Sequence, residues 1–339
     1  MSVTFSGGIT FTGGGFSFTA PPPTVADAGW FAGGINPAIG YVSNLQRITF
    51  ATDTATASIR GQLSVTRYQL GAVSTLDYGW WGAGFNNGTP FDSVSLVDRM
   101  TFANDTAVNS VRGPLTTILT RQAAASDNTT YGWFGGGSLG NNGLRISTVT
   151  RITYSNDTAV STNRGPLSQN KRDLVATGNS TNGWFGGGYV YSGASIYYST
   201  VDRITYATDT ATASVRGPLT RQISNLAATG NSTDGWFGGG YSNSPAPATL
   251  STVQRITYAT DTATASVRGP LAGSNSVLTA TGDNTYGWFA GGAPSTYSPN
   301  STVSRITYAT DTNTASLRGP LAYTDNYNGG TNASCGGVQ

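Results

Sequence analysis

Histidine and glutamate are both missing from this 339-residue chain, and lysine occurs once, as Lys171. Without histidine the chain lacks the commonest metal ligand and the side chain that most often moves protons near neutral pH. Only 10% of the residues are charged and the formal net charge is +2. No basic field is therefore available to hold nucleic acid, and no acidic tail exists. The single cysteine, Cys335, cannot form an intrachain disulfide. No apolar run approaches the about 20 residues of a membrane-spanning helix, so membrane insertion is not expected. The start, MSVTFSGGIT, has neither the basic flank nor the apolar core of a secretory signal, which leaves release by lysis as the expected route out of a cell. Clustered metal ligands and a phosphate-cradling loop before a helix are also absent, so no cofactor is expected.

What is plentiful is glycine, with 46 residues, together with Thr, Ser, Val, Tyr and Phe, which suit half-buried pleated strands better than helices. The phrase STVQRITYATDTATASVRGPL, Ser251 to Leu271, recurs in near copies six times. Its first Arg falls at Arg47, Arg99, Arg151, Arg203, Arg255 and Arg305, which gives steps of 52, 52, 52, 52 and 50 residues. A fixed period of about 50 residues without helical patterning indicates a propeller or similar closed array.

Each repeat divides into four strand signals. Gly-Trp followed by an aromatic and a small-residue triplet is one, as at Trp30, Trp80, Trp133, Trp184, Trp236 and Trp288. After a loop comes R-I-T-Y-A-T, then a turn at Asp-Thr, where the Asp is expected to accept a backbone hydrogen bond two residues on. T-A-S-V-R-G-P-L alternates again and is stopped by Gly-Pro. A small-residue strand such as Asp173 to Thr177 follows, suited to the crowded centre where blades converge. The expected fold is all-β: a six-bladed propeller with four antiparallel strands per blade over residues 24–333, then a tail at 334–339. Residues Ala322 to Thr331 sit where a further inner strand would begin and seal the first blade, with the N-terminal segment as the rival for that role. That segment alternates apolar and small polar residues, with Phe5, Ile9, Phe11, Phe16 and Phe18 broken by Gly clusters, and ends in Pro21-Pro22-Pro23. Residues 1–23 read either as an attachment arm with a stiff linker or as an extra strand on the main body.

Three polar groups recur in every repeat: the first Arg, the turn Asp (Asp53, Asp105, Asp157, Asp209, Asp261, Asp311) and a second Arg 13 residues after the first. A group present in all blades belongs to the scaffold rather than to one asymmetric site, so the Arg stems are expected to cover apolar surface and their guanidinium groups to bond Asp or backbone carbonyls between blades. A sixfold anion-binding ring is the rival reading. The Trp residues likewise read as packing between blades, against a rival reading as sugar platforms. Difference is concentrated between the Gly triplet and the first Arg. Strand alternation puts these loops on one face with the connections between repeats, and variable loops on a rigid frame are where binding residues lie. The candidates are Phe85, Asn86, Asn87, Phe91 and Asp92 in the second repeat, Tyr189, Tyr191, Tyr197 and Tyr198 in the fourth, and Tyr241 in the fifth. Tyr mixed with Ser, Asn and Gly is a composition that recognition loops use. Solvated connectors with incidental aromatics are the plainer alternative.

The Gly pairs, the period near 50 residues and the regularly placed Tyr and Trp resemble kelch-type β-propellers, from Gly29 to about Thr331. More closely, STVDRITYATDTATASVRGPL and GWFGGGY resemble the kelch-like repeat proteins of marine, cyanobacterial-type bacteriophages, and SVTFSGGITFTGGGFSFTAPPP resembles a leader on virion proteins of such phages. The resemblance implies a non-enzymatic particle component on a tail, fibre or capsid. It would contact other virion proteins through the arm and a host surface glycan or protein through the propeller, and is compatible with a homo-oligomer. A decoration or connector subunit without a ligand is the alternative. Kelch-type copper oxidases need His and sialidases need Glu, both missing here. A glycosidase could use two Asp, and Asp77, Asp92, Asp98, Asp173 and Asp202 lack an evident partner in the sequence.

Overall fold

The computed structural model describes residues 9–12, 15–18, 27–38, 40–86, 93–118, 120–121, 123–126, 129–140, 143–294, 299–324 and 333–335. Six four-stranded antiparallel sheets form a six-bladed propeller, and the fourth shows the pattern. Its innermost strand is Val175–Gly178, followed outwards by Asn182–Gly186, Val201–Thr205 and Ser214–Arg216. The second, third, fifth and sixth blades repeat this order. In the first blade, Ala28–Ala32 pairs on its inner side with Ala333–Cys335, placing Trp30 opposite Cys335. The chain's last described strand thus completes its first blade. It lies beyond the Ala322 to Thr331 stretch expected for it and across the boundary expected at residue 333. The N-terminal segment forms a hairpin of Ile9–Thr12 and Gly15–Phe18, with Ile9 opposite Phe18 and Phe11 opposite Phe16. It pairs with no described blade strand. Phe5 lies outside the described residues. Among the described residues no helix is long and apolar enough to cross a membrane.

The core is a set of seams. Six apolar clusters each join residues of two neighbouring blades; one unites Trp133 and Val149 with Phe185, Ile204 and Tyr206. Strand register explains what meets there. Trp133 lies opposite Arg151, and Arg151 opposite Thr162, so Arg164, two residues on, shares their face. All three reach Asp209 of the next blade: Trp133 Nε1 donates to Oδ2 at 2.8 Å, Arg151 Nη1 at 3.0 Å, and Arg164 Nε stands 3.4 Å away. The indole also stacks on Tyr206, with centroids 3.8 Å apart. The same node recurs five more times and ends where Trp288 and Arg305 of the sixth blade reach Asp53 of the first.

The turn Asp therefore has a different task from the local one expected of it. The turn is closed by backbone alone, as where the Ala211 amide donates to the Thr208 carbonyl, after a short 3-10 segment Tyr206–Thr208. The Asp209 carboxylate is left to face the previous blade, and its carbonyl accepts the Gly165 amide of that blade at 2.8 Å.

Such close backbone approach explains the Gly of each R-G-P. A Cβ on Gly217 would land on the Ala263 carbonyl oxygen of the next blade, whereas one on Gly273 meets nothing within 4 Å. Gly217→Ala should lower unfolding free energy by more than about 2 kcal/mol. Gly273→Ala should leave it unchanged or raise it by up to about 1 kcal/mol through the unfolded chain. Urea unfolding of the two variants checks this, and equal midpoints would contradict the seam geometry.

Candidate functional site

One rim of the ring carries a second tier of small sheets. Each is made where the segment approaching a blade's inner strand bonds to that blade's own variable loop. Arg172 bridges to Tyr189, Ser224 to Tyr241, Ser276 to Ala293 and Thr120 to Ser138, while Arg67–Tyr68 pairs with Phe85–Asn86. The loops are themselves ordered: Tyr189–Tyr191 folds back on Ser195–Tyr197, and Tyr241–Ser242 on Ala248–Thr249. Tyr198 is tied to the frame by its amide, which donates to the Gly188 carbonyl, and by its carbonyl, which accepts from Ile223.

The approach segments are locked together near the axis by an unusual backbone feature. Gln69, Arg121, Asp173, Asn225 and Val277, at the same position of successive repeats, all have left-handed φ between 54° and 62°. Each amide donates to the carbonyl of the preceding member: Arg121 to Gln69, Asp173 to Arg121, Asn225 to Asp173 and Val277 to Asn225, at 2.8 to 3.2 Å. Non-glycine residues hold this conformation at a cost of roughly 1 kcal/mol or more, so the inter-blade bonds over-determine it.

This chain of bonds divides the rim by chemistry. On one side Tyr68, Phe85, Val277 and Ala293 form a buried apolar cluster against Ile35 and Tyr41. On the other, two guanidinium groups flank one carboxylate, with Arg145 near enough for its charge to act on it. Arg121 Nη1 and Arg172 Nε stand 3.6 and 3.5 Å from Oδ2 of the fully buried Asp173. Neither Asp173 oxygen makes a hydrogen bond of ordinary geometry. Arg172 Nε donates to the Tyr189 hydroxyl at 3.1 Å. Burial, and the nearby Arg172 and Arg121 charges, push the Arg145 guanidinium below its ordinary value. Tyr189 stacks on Tyr197 at 5.4 Å, and Tyr197 meets Tyr241 at 5.9 Å. Burial, with Tyr241 and Tyr189 beside it, raises the Tyr197 hydroxyl above its usual range. Tyr191, 54% exposed, stands at the hairpin tip.

The structure therefore brings Tyr189, Tyr197 and Tyr241 together, with Tyr191 and Tyr198 on the same hairpin and its exit. Phe85 is different: it is 5% exposed and packs against Tyr68 with centroids 5.3 Å apart, because its strand pairs with the approach segment. It is part of the frame and not a contact residue. Asn86 is half-buried in that same pairing. Asn87, Phe91 and Asp92 lie outside the described residues. Of the Asp residues that lacked partners in the sequence, three have them in space: Asp173 with Arg121 and Arg172, and two more in closer pairs. Asp98 pairs with Arg67 and Asp202 with Lys171 at 2.9 Å, all four side chains fully buried. The arginines around Asp173 were not among the sequence candidates. Their signal was that Arg121, Arg145 and Arg172 stand outside the repeated Arg positions.

Among the described residues no three His, Cys, Asp or Glu side chains gather as metal ligands. No protein-family model matches the chain, and no curated protein matches it in sequence.

Two outcomes follow from the buried charges. Burial raises the Asp173 carboxyl to about 6, against the pull of Arg121, Arg172 and Arg145. The folded state then binds this proton more tightly than the unfolded chain, so stability from this group is complete below about pH 4 and lost as pH rises through about 6. Relative to Asp173→Asn, the protein should lose on the order of 3 kcal/mol between pH 4 and 7 in denaturant titrations, and a flat difference would contradict the assignment. Lys171→Ile should cost about 3 to 5 kcal/mol by stranding the Asp202 charge. Adding Asp202→Gln recreates the Ile223 and Gln254 pair that occupies these positions in the next repeat, and should recover most of the loss.

Proposed function

We propose that the protein is a non-catalytic recognition subunit of a bacteriophage particle, whose ring presents one rim to a glycan or protein of the host surface. The observation that carries this reading is the juxtaposition of Tyr189, Tyr197 and Tyr241 beside Arg172 on that rim. Tyrosine rings offer rigid area for a sugar or peptide face, and their hydroxyls with neighbouring guanidinium groups supply directional donors. The non-catalytic reading is supported by Asp98 and Asp202, which are engaged in buried ion pairs and unavailable as an acid-base couple. The particle assignment, including extracellular display on a virion, rests on the resemblance of the repeat phrases and of the N-terminal leader to kelch-like phage proteins. The hairpin of Ile9–Thr12 and Gly15–Phe18, paired with itself and with no described blade strand, suits an arm that docks on other virion proteins.

A second reading, as a decoration or connector subunit, is favoured by one feature. Five of the six outer strands expose an aliphatic side chain at the same position, Ile59, Val111, Val215, Val267 and Leu317, each 52 to 63% exposed. Such a perimeter suits side-by-side packing in a lattice.

Labelled protein should adhere to host cells or immobilised host glycans, and a Tyr191→Ala, Tyr197→Ala double variant should lose binding about tenfold or more without unfolding. Removing residues 1–23 should spare that adhesion while abolishing incorporation into particles. Adhesion unchanged in the double variant, or absent from the intact protein, would reject the recognition role and leave the connector reading.

A further inference from the structure

Resting on the recognition role above, we infer that the hairpin of Tyr189–Tyr191 and Ser195–Tyr197 is a subsite for an uncharged pyranose saccharide, with Tyr191 as the ring on which the sugar stacks. The register of the hairpin comes first. Tyr189 lies opposite Tyr197 and Tyr191 opposite Ser195, while Val190 lies opposite Ile196. Because side chains alternate along a strand, the three tyrosines and Ser195 share one side and the two aliphatic residues take the other. The rings on that side differ in how they are covered. Tyr189 has Tyr197 stacked on it at 5.4 Å and the Arg172 guanidinium 4.9 Å from its centroid. Tyr191 has only a serine across from it. Cross-strand neighbours are what cover an aromatic side chain on a two-stranded sheet, and so small a partner leaves Tyr191 54% exposed.

The polar atoms along the same side suit a partner rich in hydroxyl groups. Arg172 donates to the Tyr189 hydroxyl from Nε at 3.1 Å and also from Nη2. A phenol carries one hydrogen, and with its oxygen accepting from Arg172 that hydrogen points away from the guanidinium and is placed to donate. Tyr197 continues the row to Tyr241, 5.9 Å away, whose hydroxyl donates to the exposed Asn243 at 3.5 Å. Tyrosine rings offer their faces to the C–H groups of a pyranose, and hydroxyl tips exchange both donors and acceptors with its own hydroxyls. Charge selects the class. No charged residue occurs between Asp173 and Asp202, nor between Asp234 and Arg255, the two stretches that supply the row. The cation that touches it, Arg172, is engaged by Asp173 as well as by Tyr189. These loops complement a neutral sugar, which trades water for hydroxyl partners, and hold nothing of their own to balance an acidic one.

Isothermal titration of the full chain tests this with three probes of equal length: a cello-oligosaccharide, a β-linked galacto-oligosaccharide and oligogalacturonate as the acidic counterpart. One or both neutral probes should bind at least about tenfold more tightly than oligogalacturonate. Tyr191→Ala should weaken that binding about tenfold, whereas Tyr191→Phe, which keeps the ring, should stay within about twofold of the parent. Ser195→Tyr supplies the large cross-strand partner that the hairpin lacks and should lose as much as Tyr191→Ala, because the added side chain covers the open ring. Ile196→Ala, on the other side of the hairpin, should have no effect. All three positions are exposed, so the unfolding midpoints should remain in place. Equal losses in Tyr191→Phe and Tyr191→Ala, or full binding in Ser195→Tyr, would overturn stacking on that ring. Tighter binding of oligogalacturonate would overturn the uncharged class while leaving glycan recognition standing. If no probe binds and the protein still adheres to host cells, the saccharide subsite is rejected and the adhesion belongs to a protein contact. If it neither binds a probe nor adheres, both readings fall together.

Discussion

Everything in this ring depends on one carboxylate per seam that is shared by two blades. Asp261 shows the arrangement: it belongs to the fifth blade, yet its Oδ2 accepts the Trp184 indole N–H at 2.8 Å and the Arg203 guanidinium at 2.9 Å, both from the fourth. A second arginine, Arg216, stands 3.5 Å away. A buried carboxylate is costly unless its charge and its lone pairs are satisfied, and here nearly all that satisfaction comes from the neighbouring sheet. A blade on its own would hold an unpaired acid on one face and an unpaired indole and two guanidinium groups on the other. Stacking of Trp184 on Tyr258 at 3.9 Å adds apolar burial to the same contact. The node also fixes sheet separation, because the Gly217 amide donates to the Asp261 carbonyl and tolerates no side chain there.

Closure is a consequence of that dependence. Five seams join blades consecutive in sequence, and the sixth joins Trp288 and Arg305 to Asp53, more than 230 residues apart along the chain. Without the sixth, Asp53 would remain buried without its donors. The inner strand Ala333–Cys335 then finishes the first sheet from the other end of the chain. One residue before each nodal arginine, on the opposite strand face, the requirement is looser. That position holds Gln46, Asp98, Thr150, Asp202, Gln254 and Ser304, all buried. Only the two acids need a cation, and Arg67 and Lys171 supply it from the approach segment. In the fifth blade the neutral Gln254 instead accepts from the Thr220 hydroxyl at 2.6 Å.

The repeat was legible because it is enforced by these nodes. Blade count, strand order and the inter-blade task of Trp and Arg all follow from the 52-residue period and the 13-residue Arg spacing. The turn Asp was misread because a local hydrogen bond and a distant one demand the same residue type, and sequence alone does not say which donor arrives. The pairing of Lys171 with Asp202 is visible in retrospect. The only lysine lies 31 residues before an Asp, and Arg67 lies 31 residues before Asp98, at the same repeat positions. The tyrosines of the fourth loop were legible from composition. Phe85 was misassigned because a two-residue strand pairing with the approach segment turns it inward, and so short a pairing has no periodicity to detect.

The rim cluster escaped sequence reading for a structural reason that also gives it its chemistry. Its members come from three separate repeats, and what gathers them is the series of left-handed residues from Gln69 to Val277, linked amide to carbonyl across successive blades. A backbone link of this kind is indifferent to side-chain type, so the same five positions carry an amide, a cation, an acid, another amide and a branched aliphatic. The nodes below must be identical because each is read by two blades at once. The series above them must be identical only in conformation. That difference in constraint lets one face of a nearly symmetric ring carry Arg121 beside Asp173 on one side and Val277 against Tyr68 on the other, and asymmetry of that kind is what a single ligand requires.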